Sequence, residues 1–490
     1  MRTASRSAAK SVEWAFYVLA GFIVLAFLTG GGARADIQSL LLLRPVAAFL
    51  LVFGWFRIDR SHVRAAQLPL AAAGGFLLLI LVQLVPLPPF AWTHLSGREW
   101  VAALALDVGI EQPWRAINLM PDLGWNSFFA GLVPLAGLTW VALLQARWHD
   151  RVLSLLICLG LASVVLSVFQ VVGDGQGWLH FYAVTNAGAT GLFANRNHQA
   201  LLIACLFPML AAWASLTPRT QEQWKIRAYG AGVVGLFLVP LLLLTGSRAG
   251  VAGAAIGIAG GVWLFNRPEG LIAPRRRGGE RTGIRTHIAI AAALLVTMAV
   301  GVTIAASRAR ALERIFDGNV MNDQRSEIWQ KTWSLIVQYF PWGSGFGTFD
   351  GIFRRAETNS DLTRYYINHA HNDVLEVLME GGAFAALLMA IAMVLWARKA
   401  FQIVFPDRQR KYEPDGLAKL GVVLTFILFI GSLFDYPLRV PSLALLFSIA
   451  GFWMFRPVPH PAIDRFEPVG RSGRKTSASG TDMTKATAPL

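Results

Sequence analysis

Three residues of types that do chemistry on phosphates and hydroxyls are spread over the second half of this chain. Arg248 lies in Thr245-Gly246-Ser247-Arg248-Ala249-Gly250, Arg325 in Asp323-Gln324-Arg325-Ser326-Glu327-Ile328-Trp329, and His371 in Asn368-His369-Ala370-His371-Asn372-Asp373. Guanidinium groups pair bidentately with phosphate oxygens, and two of them suit the two charges of a pyrophosphate. A neutral imidazole takes a proton from a hydroxyl, which is general-base work. Each residue also has a plainer reading. Arg248 snorkels to a membrane interface, Arg325 meets solvent or a lipid phosphate, and His371 caps the helix that follows it. His369 is an alternative base. Asn372 or Asp373 is placed to cap that helix, with Glu376 at the third helical position if Asp373 is the cap. Glu376 and Glu380, one turn apart, either orient His371 or face a cavity. Arg196 and His198 in Asn195-Arg196-Asn197-His198 belong to the same cavity or cap another helix.

The elements that must position these residues are membrane helices. Of 490 residues 55% are hydrophobic and 15% charged, well below the roughly 25% charge of soluble domains. The net charge of +15 therefore describes loops that set topology rather than a nucleic-acid surface. Cys158 and Cys205 both lie within apolar runs and make neither a disulfide framework nor a zinc site. A membrane span needs about 20 mostly apolar residues. Twelve candidates occur, near 13–33, 37–56, 67–88, 125–146, 151–173, 199–216, 228–246, 248–265, 287–306, 374–397, 417–434 and 440–456. The first is read as a retained span, because it exceeds the roughly 7–15 apolar residues of a cleaved signal. With the N-terminus in the cytoplasm, Arg57, Arg60, Arg64, Arg147, Arg151, Arg275, Arg276, Arg277, Arg398 and Lys399 all fall inside, as the positive-inside rule requires. Arg44, within the second span, needs a partner that the sequence does not name.

On the outer side, the spacing of Arg325, Trp329, Trp333 and Val337 predicts an amphipathic helix lying on the leaflet and stopped by Pro341. Val85-Pro86-Leu87-Pro88-Pro89 breaks the third span, and Trp92, Trp100 and Trp114 beyond it suit a membrane interface. His369-Ala370-His371-Asn372-Asp373 is followed by Val374, so the histidine that would complete a metal-binding run of that kind is missing. The fold expected is all-α and polytopic, with residues 1–456 as the membrane domain and 457–490 as a disordered cytoplasmic tail.

The ordered set Gly191–His198, Thr245–Gly250, Arg325 with Ile328-Trp329, Pro341–Gly347 and His371–Gly382 resembles the O-antigen ligase and O-antigen polymerase-like membrane proteins. The resemblance implies a GT-C-like, metal-independent, inverting glycosyltransferase of the bacterial inner membrane, without a cofactor and active on the periplasmic side. It implies an undecaprenyl-pyrophosphate-linked glycan as donor and a hydroxyl as acceptor, on lipid A-core for a ligase or on a growing chain for a repeat-unit polymerase. By position, Arg248 and Arg325 match arginines that engage the donor pyrophosphate, and His371 matches the histidine proposed to activate the acceptor. Arg196, His369 and Asn372 would line the cavity. A transporter or flippase is the competing class. The predicted spans argue against it, since none carries a mid-membrane carboxylate for a coupled proton.

Overall fold

The computed structural model describes residues 2–172, 179–182, 188–216, 218, 220–268, 320–358, 367–406 and 415–457. The predicted span at 287–306, the basic segment Arg275–Arg277 and the tail beyond 457 lie outside the described residues. Within them the protein is a multi-pass bundle of eleven apolar helices, six of them long and apolar enough to cross a membrane by themselves. These helices are α1 (Arg2–Thr29), α2 (Leu40–Trp55), α3 (Arg60–Leu84), α6 (Pro121–Ala142), α7 (Ala146–Val172), α8 (Arg196–Leu216), α9 (Gln221–Leu244), α10 (Arg248–Leu264), α13 (Asp373–Val404), α14 (Gly416–Ser432) and α15 (Pro441–Phe455). Each overlaps one of the predicted spans, with ends displaced by up to eleven residues. Four shorter helices complete the set: α4 (Pro89–Trp92), α5 (Glu99–Asp107), α11 (Val320–Tyr339) and α12 (Phe349–Ala356).

Lipid provides no hydrophobic drive between helices, so close packing of backbones must hold them together. Helices α8 and α10 show how. A Cβ on Gly250 would come within 2.3 Å of Ala200 Cβ, and one on Gly257 within 2.3 Å of Ala204 O. The contacts advance together along both helices, which therefore run parallel and begin at the same end of the bundle. Helix α14 runs against them, with Ile427 touching the Gly253 position and Leu201 touching Gly431. Its C-terminus therefore arrives where α8 and α10 start. Arg44 finds its partner on α6, donating from Nη1 to Asn126 Oδ1 at 2.5 Å.

Two small layers sit on that end. In the first, β1 (Pro86–Leu87) pairs antiparallel with β2 (Arg115–Ala116), beside a core of Trp92, Leu95 and Val101. Trp92 is 1% exposed and donates to Pro113 O at 2.8 Å. This corrects the interfacial reading of that tryptophan: its ring fills the small core instead. In the second, α11 buries Ile328, Leu335, Ile336 and Tyr339 against Phe349, Phe353 and Met379. Helix α11 stops at Tyr339, as the proline after it requires, but Trp333 and Val337 are 57% and 63% exposed. The stripe picked out by the spacing is thus the uncovered one, and the neighbouring face is packed.

Helix α13 is broken at Gly382, where φ is 59° and ψ −147°. The groups freed by the break are taken up by the Pro341–Gly347 loop. Ser344 N donates to Met379 O at 3.0 Å, Gly345 N to Glu380 O at 2.9 Å, and Ala383 N to Pro341 O at 2.8 Å. Gln83 of α3 fastens the same place, donating to Glu380 O and accepting from Phe346 N. Non-helical backbone within a membrane helix persists only where protein supplies such partners. A side chain at 382 would suffer both the backbone conformation and a Cβ 2.1 Å from Pro341 O. Gly382→Ala is therefore expected to destabilise the protein by at least about 1–3 kcal/mol, seen as a lower melting midpoint in detergent. An unchanged midpoint would mean that the loop is not fixed to the break.

Candidate active site

The site grows from the N-terminus of α13. Asn372 is the cap, its side chain accepting from Leu375 N at 3.1 Å. Asp373 and Glu376 thus do not form the capping box that the sequence allowed, and both carboxylates are freed for other partners. Glu376 Oε1 lies 2.8 Å from His369 Nδ1, and its Oε2 accepts from Ala370 N at 2.8 Å. Asp373 Oδ2 accepts from Leu438 N at 3.3 Å. Glu380 accepts from the Gly347 and Phe349 amides. Neither glutamate orients His371, which corrects that expectation. Glu376 orients His369, and Glu380 belongs to the broken turn.

The partner of His371 comes from Leu433–Val440, the connection between α14 and α15. His371 Nδ1 lies 3.1 Å from Asp435 Oδ1. The histidine side chain is 28% exposed and the aspartate fully buried. Burial pushes the Asp435 carboxyl upward, but its hydrogen bonds from His371 and Asn197 and the closeness of the His198 and His371 imidazoles outweigh it. The group is held well below the ordinary carboxylate range. An ionised Asp435 only accepts, so it takes the Nδ1–H of His371 and leaves the Nε2 lone pair for another proton. His371 is the one non-glycine with positive φ among the described residues, at 49°. Such a backbone costs of order 1–3 kcal/mol and persists when its surroundings fix it. Here the fixing contacts are the Asp435 bond on one side and the Asn372 cap on the other.

Asp435 is held in turn by the entrance to α8. Asn195 and Asn197 donate to its Oδ2 at 3.3 and 2.7 Å. The Tyr436 ring lies 4.2 Å from that of His369, 5.2 Å from His371 and 5.0 Å from His198. His198 itself is 1% exposed, with neither ring nitrogen hydrogen-bonded. Below this layer Arg439 closes the site. Its Nη2 donates to Glu380 Oε2 at 2.9 Å, while Nε lies 3.2 Å from Glu376 Oε1 and 3.4 Å from Asp373 Oδ1. One guanidinium therefore faces three carboxylates projecting from α13.

The sequence-predicted residues gather at this end by different routes. His369, His371 and Asn372 form the site floor itself. Arg196 stands between Asn195 and Asn197, the two donors to Asp435. Arg248 is exposed and opens α10, which Ser247 caps by accepting from Gly250 N at 3.0 Å. Ala200, against which Gly250 packs, is one turn along α8 from Arg196, so the two arginines open adjacent parallel helices. Arg325 is half-buried, one turn before Trp329, whose Nε1 donates to Ala370 O at 3.1 Å between the two histidines. Sequence reasoning missed Asp435, Tyr436 and Arg439. The available signal was an aspartate and an arginine inside Phe434-Asp435-Tyr436-Pro437-Leu438-Arg439, a connection of a few residues between two apolar runs.

A helical bundle with a buried-carboxylate–histidine pair and arginines at one end defines the class: a polytopic membrane protein with a cluster of titratable side chains at that end. Residues 232–390 match the model of the O-antigen ligase family. The chain is thus O-antigen ligase-like through that region, which contains Arg248, Arg325, His369 and His371. The match stops short of Asp435 and Arg439, which the fold brings to the same place. No curated protein matches the chain.

Proposed function

We propose that the protein transfers a glycan from an undecaprenyl-pyrophosphate-linked donor to an acceptor hydroxyl of the lipid A-core class, at the periplasmic face of the bacterial inner membrane. The observation that supports this reading best is the His371–Asp435 hydrogen bond, which leaves Nε2 of a partly exposed imidazole for an incoming hydroxyl. In the reaction, Nε2 takes the acceptor proton and the acceptor oxygen attacks the anomeric carbon. The bond from that carbon to the pyrophosphate oxygen breaks on the opposite side, so the sugar centre inverts. Undecaprenyl pyrophosphate leaves carrying the electron pair, and Arg248 and Arg325 compensate its charge. No step requires a metal.

The test is transfer by the purified protein from an undecaprenyl-pyrophosphate glycan to lipid A-core in the presence of a chelator. Mass spectrometry of the product and the released lipid pyrophosphate reads the outcome. Transfer only to the non-reducing end of a second lipid-linked glycan would make the protein a repeat-unit polymerase. Transfer to neither acceptor would overturn the reading. Arg248→Gln and Arg325→Gln are each expected to lower kcat/KM for the donor by about 10- to 150-fold, since a hydrogen bond to a charged group contributes roughly 1.5–3 kcal/mol. Unchanged donor kinetics in either variant would remove that arginine from the phosphate site.

A further inference from the structure

The opposite end of the bundle carries a second polar feature that glycan transfer leaves unused. A cavity of about 340 Å3 lies between α3, α13 and α15, lined by Leu68, Leu395, Arg398, Lys399, Gln402 and Phe455. Its distance from the site follows from the helices. Helix α13 starts at the site with Asp373 and, beyond its break at Gly382, reaches Arg398 at the other end of the bundle. Helix α3 touches the site with Gln83, near its C-terminus, and α15 starts there with Pro441, so Leu68 and Phe455 lie about 21–22 Å further along them at 1.5 Å per residue. A hydrocarbon layer is about 30 Å thick, so the cavity lies in the half of the bundle away from the site, on the side of the other leaflet.

The lining is amphipathic. Arg398 and Lys399 supply two cationic heads and Gln402 a further donor, and no aspartate or glutamate is among the lining residues. Leu68, Leu395 and Phe455 make the walls. Ahead of Arg398 on α13, Leu387, Ile391 and Val394 are 59%, 48% and 65% exposed and follow one another at helical spacing. Arg398 continues that stripe by four residues. Lipid-facing side chains thus lead directly to a pair of cations. The volume lies at the lower end of the roughly 300–1,000 Å3 of small-molecule sites. It admits a phosphate-bearing headgroup, and the chains of a lipid would then lie outside along α13.

We propose that this cavity binds the headgroup of an anionic phospholipid of the opposite leaflet, with the lipid phosphate between Arg398 and Lys399 and an acyl chain along Leu387, Ile391 and Val394. Anionic lipid is selected over zwitterionic lipid because two cations face the ligand and no carboxylate among the described lining residues offsets them. Each juxtamembrane cation near an anionic surface contributes enough that losing both weakens binding roughly thirty-fold.

The experiment uses the full chain in detergent, with phosphatidylglycerol, phosphatidylcholine or inorganic phosphate added, and reads bound lipid by native mass spectrometry and the shift in melting midpoint. Phosphatidylglycerol is expected to bind and raise the midpoint, and phosphatidylcholine and inorganic phosphate to do neither. The double variant Arg398→Gln/Lys399→Gln should lose about thirty-fold in phosphatidylglycerol affinity while keeping its glycan-transfer rate and its lipid-free midpoint. Leu68→Trp, which fills the cavity and keeps both charges, should lose the bound lipid as well, so a folding defect in the double variant does not decide the matter. Equal binding of phosphatidylcholine, full binding by either variant, or an equal shift with inorganic phosphate would overturn the proposal.

Discussion

His371→Ala is expected to lower the rate of glycan transfer by about 10²- to 10⁴-fold, the range over which a positioned general base contributes, with donor affinity little changed. Asp435 fixes the imidazole at Nδ1, the Tyr436 ring lies 5.2 Å from it, and 28% of the side chain is exposed. Removing it leaves the Asn372 cap and the Asn195 and Asn197 bonds to Asp435 in place, so the fold should survive. His369→Ala is the control for the alternative base. Its Nδ1 faces Glu376, its ring lies against Tyr436, and its side chain is 12% exposed. It is thus placed as packing beneath His371, and its loss should cost less in transfer than in stability. Transfer kinetics and melting measured together on both variants check this. Full transfer in His371→Ala with none in His369→Ala would move the base to His369.

Arg439→Ala is expected to be among the most destabilising single changes, at about 3–5 kcal/mol, because it strands buried carboxylates without a counter-charge. Glu376, Glu380 and Asp373 all lie within 3.4 Å of its guanidinium. Two of them hold other parts of the site, Glu376 the His369–Ala370 segment and Glu380 the amides at Gly347 and Phe349. The variant should therefore lose both melting stability and transfer. Arg439→Lys keeps the charge but cannot reach three acceptors with the same fork, so partial recovery of stability is expected. A melting midpoint equal to the parent's in Arg439→Ala would show that the three carboxylates are satisfied elsewhere.

The bundle was legible in the sequence because membrane spans are written locally. An apolar run of span length states its own structure. His371, Arg248 and Arg325 stood out in the sequence because polar residues beside membrane spans carry a cost. The pairings were not legible. His371 and Asp435 are separated by a full helix, a loop and another helix, and nothing in the intervening residues specifies which carboxylate meets which histidine. Glu376 and Glu380 were the nearer choices by number and served other partners. Which face of α11 packs on the protein was not legible for a related reason. Trp333 and Val337 look like core residues by type, whereas Ile328, Leu335 and Tyr339 are the ones that meet Phe349, Phe353 and Met379.

The depressed carboxyl of Asp435 also sets a pH expectation. A lowered folded-state value means that its contribution to stability is complete above its ordinary value of 3.8 and is lost only as pH falls through the lower folded value. Between pH 5 and 9 neither stability nor transfer should show a limb from Asp435.

The most direct measurement is a double-mutant cycle on transfer, with parent, His371→Ala, Asp435→Asn and the double variant compared in kcat/KM for the acceptor. If Asp435 works by fixing the His371 imidazole, Asp435→Asn slows the parent strongly but has almost no further effect once His371 is gone, because groups that act as a unit are non-additive. Additive losses in the double variant would contradict the pair as a single catalytic unit.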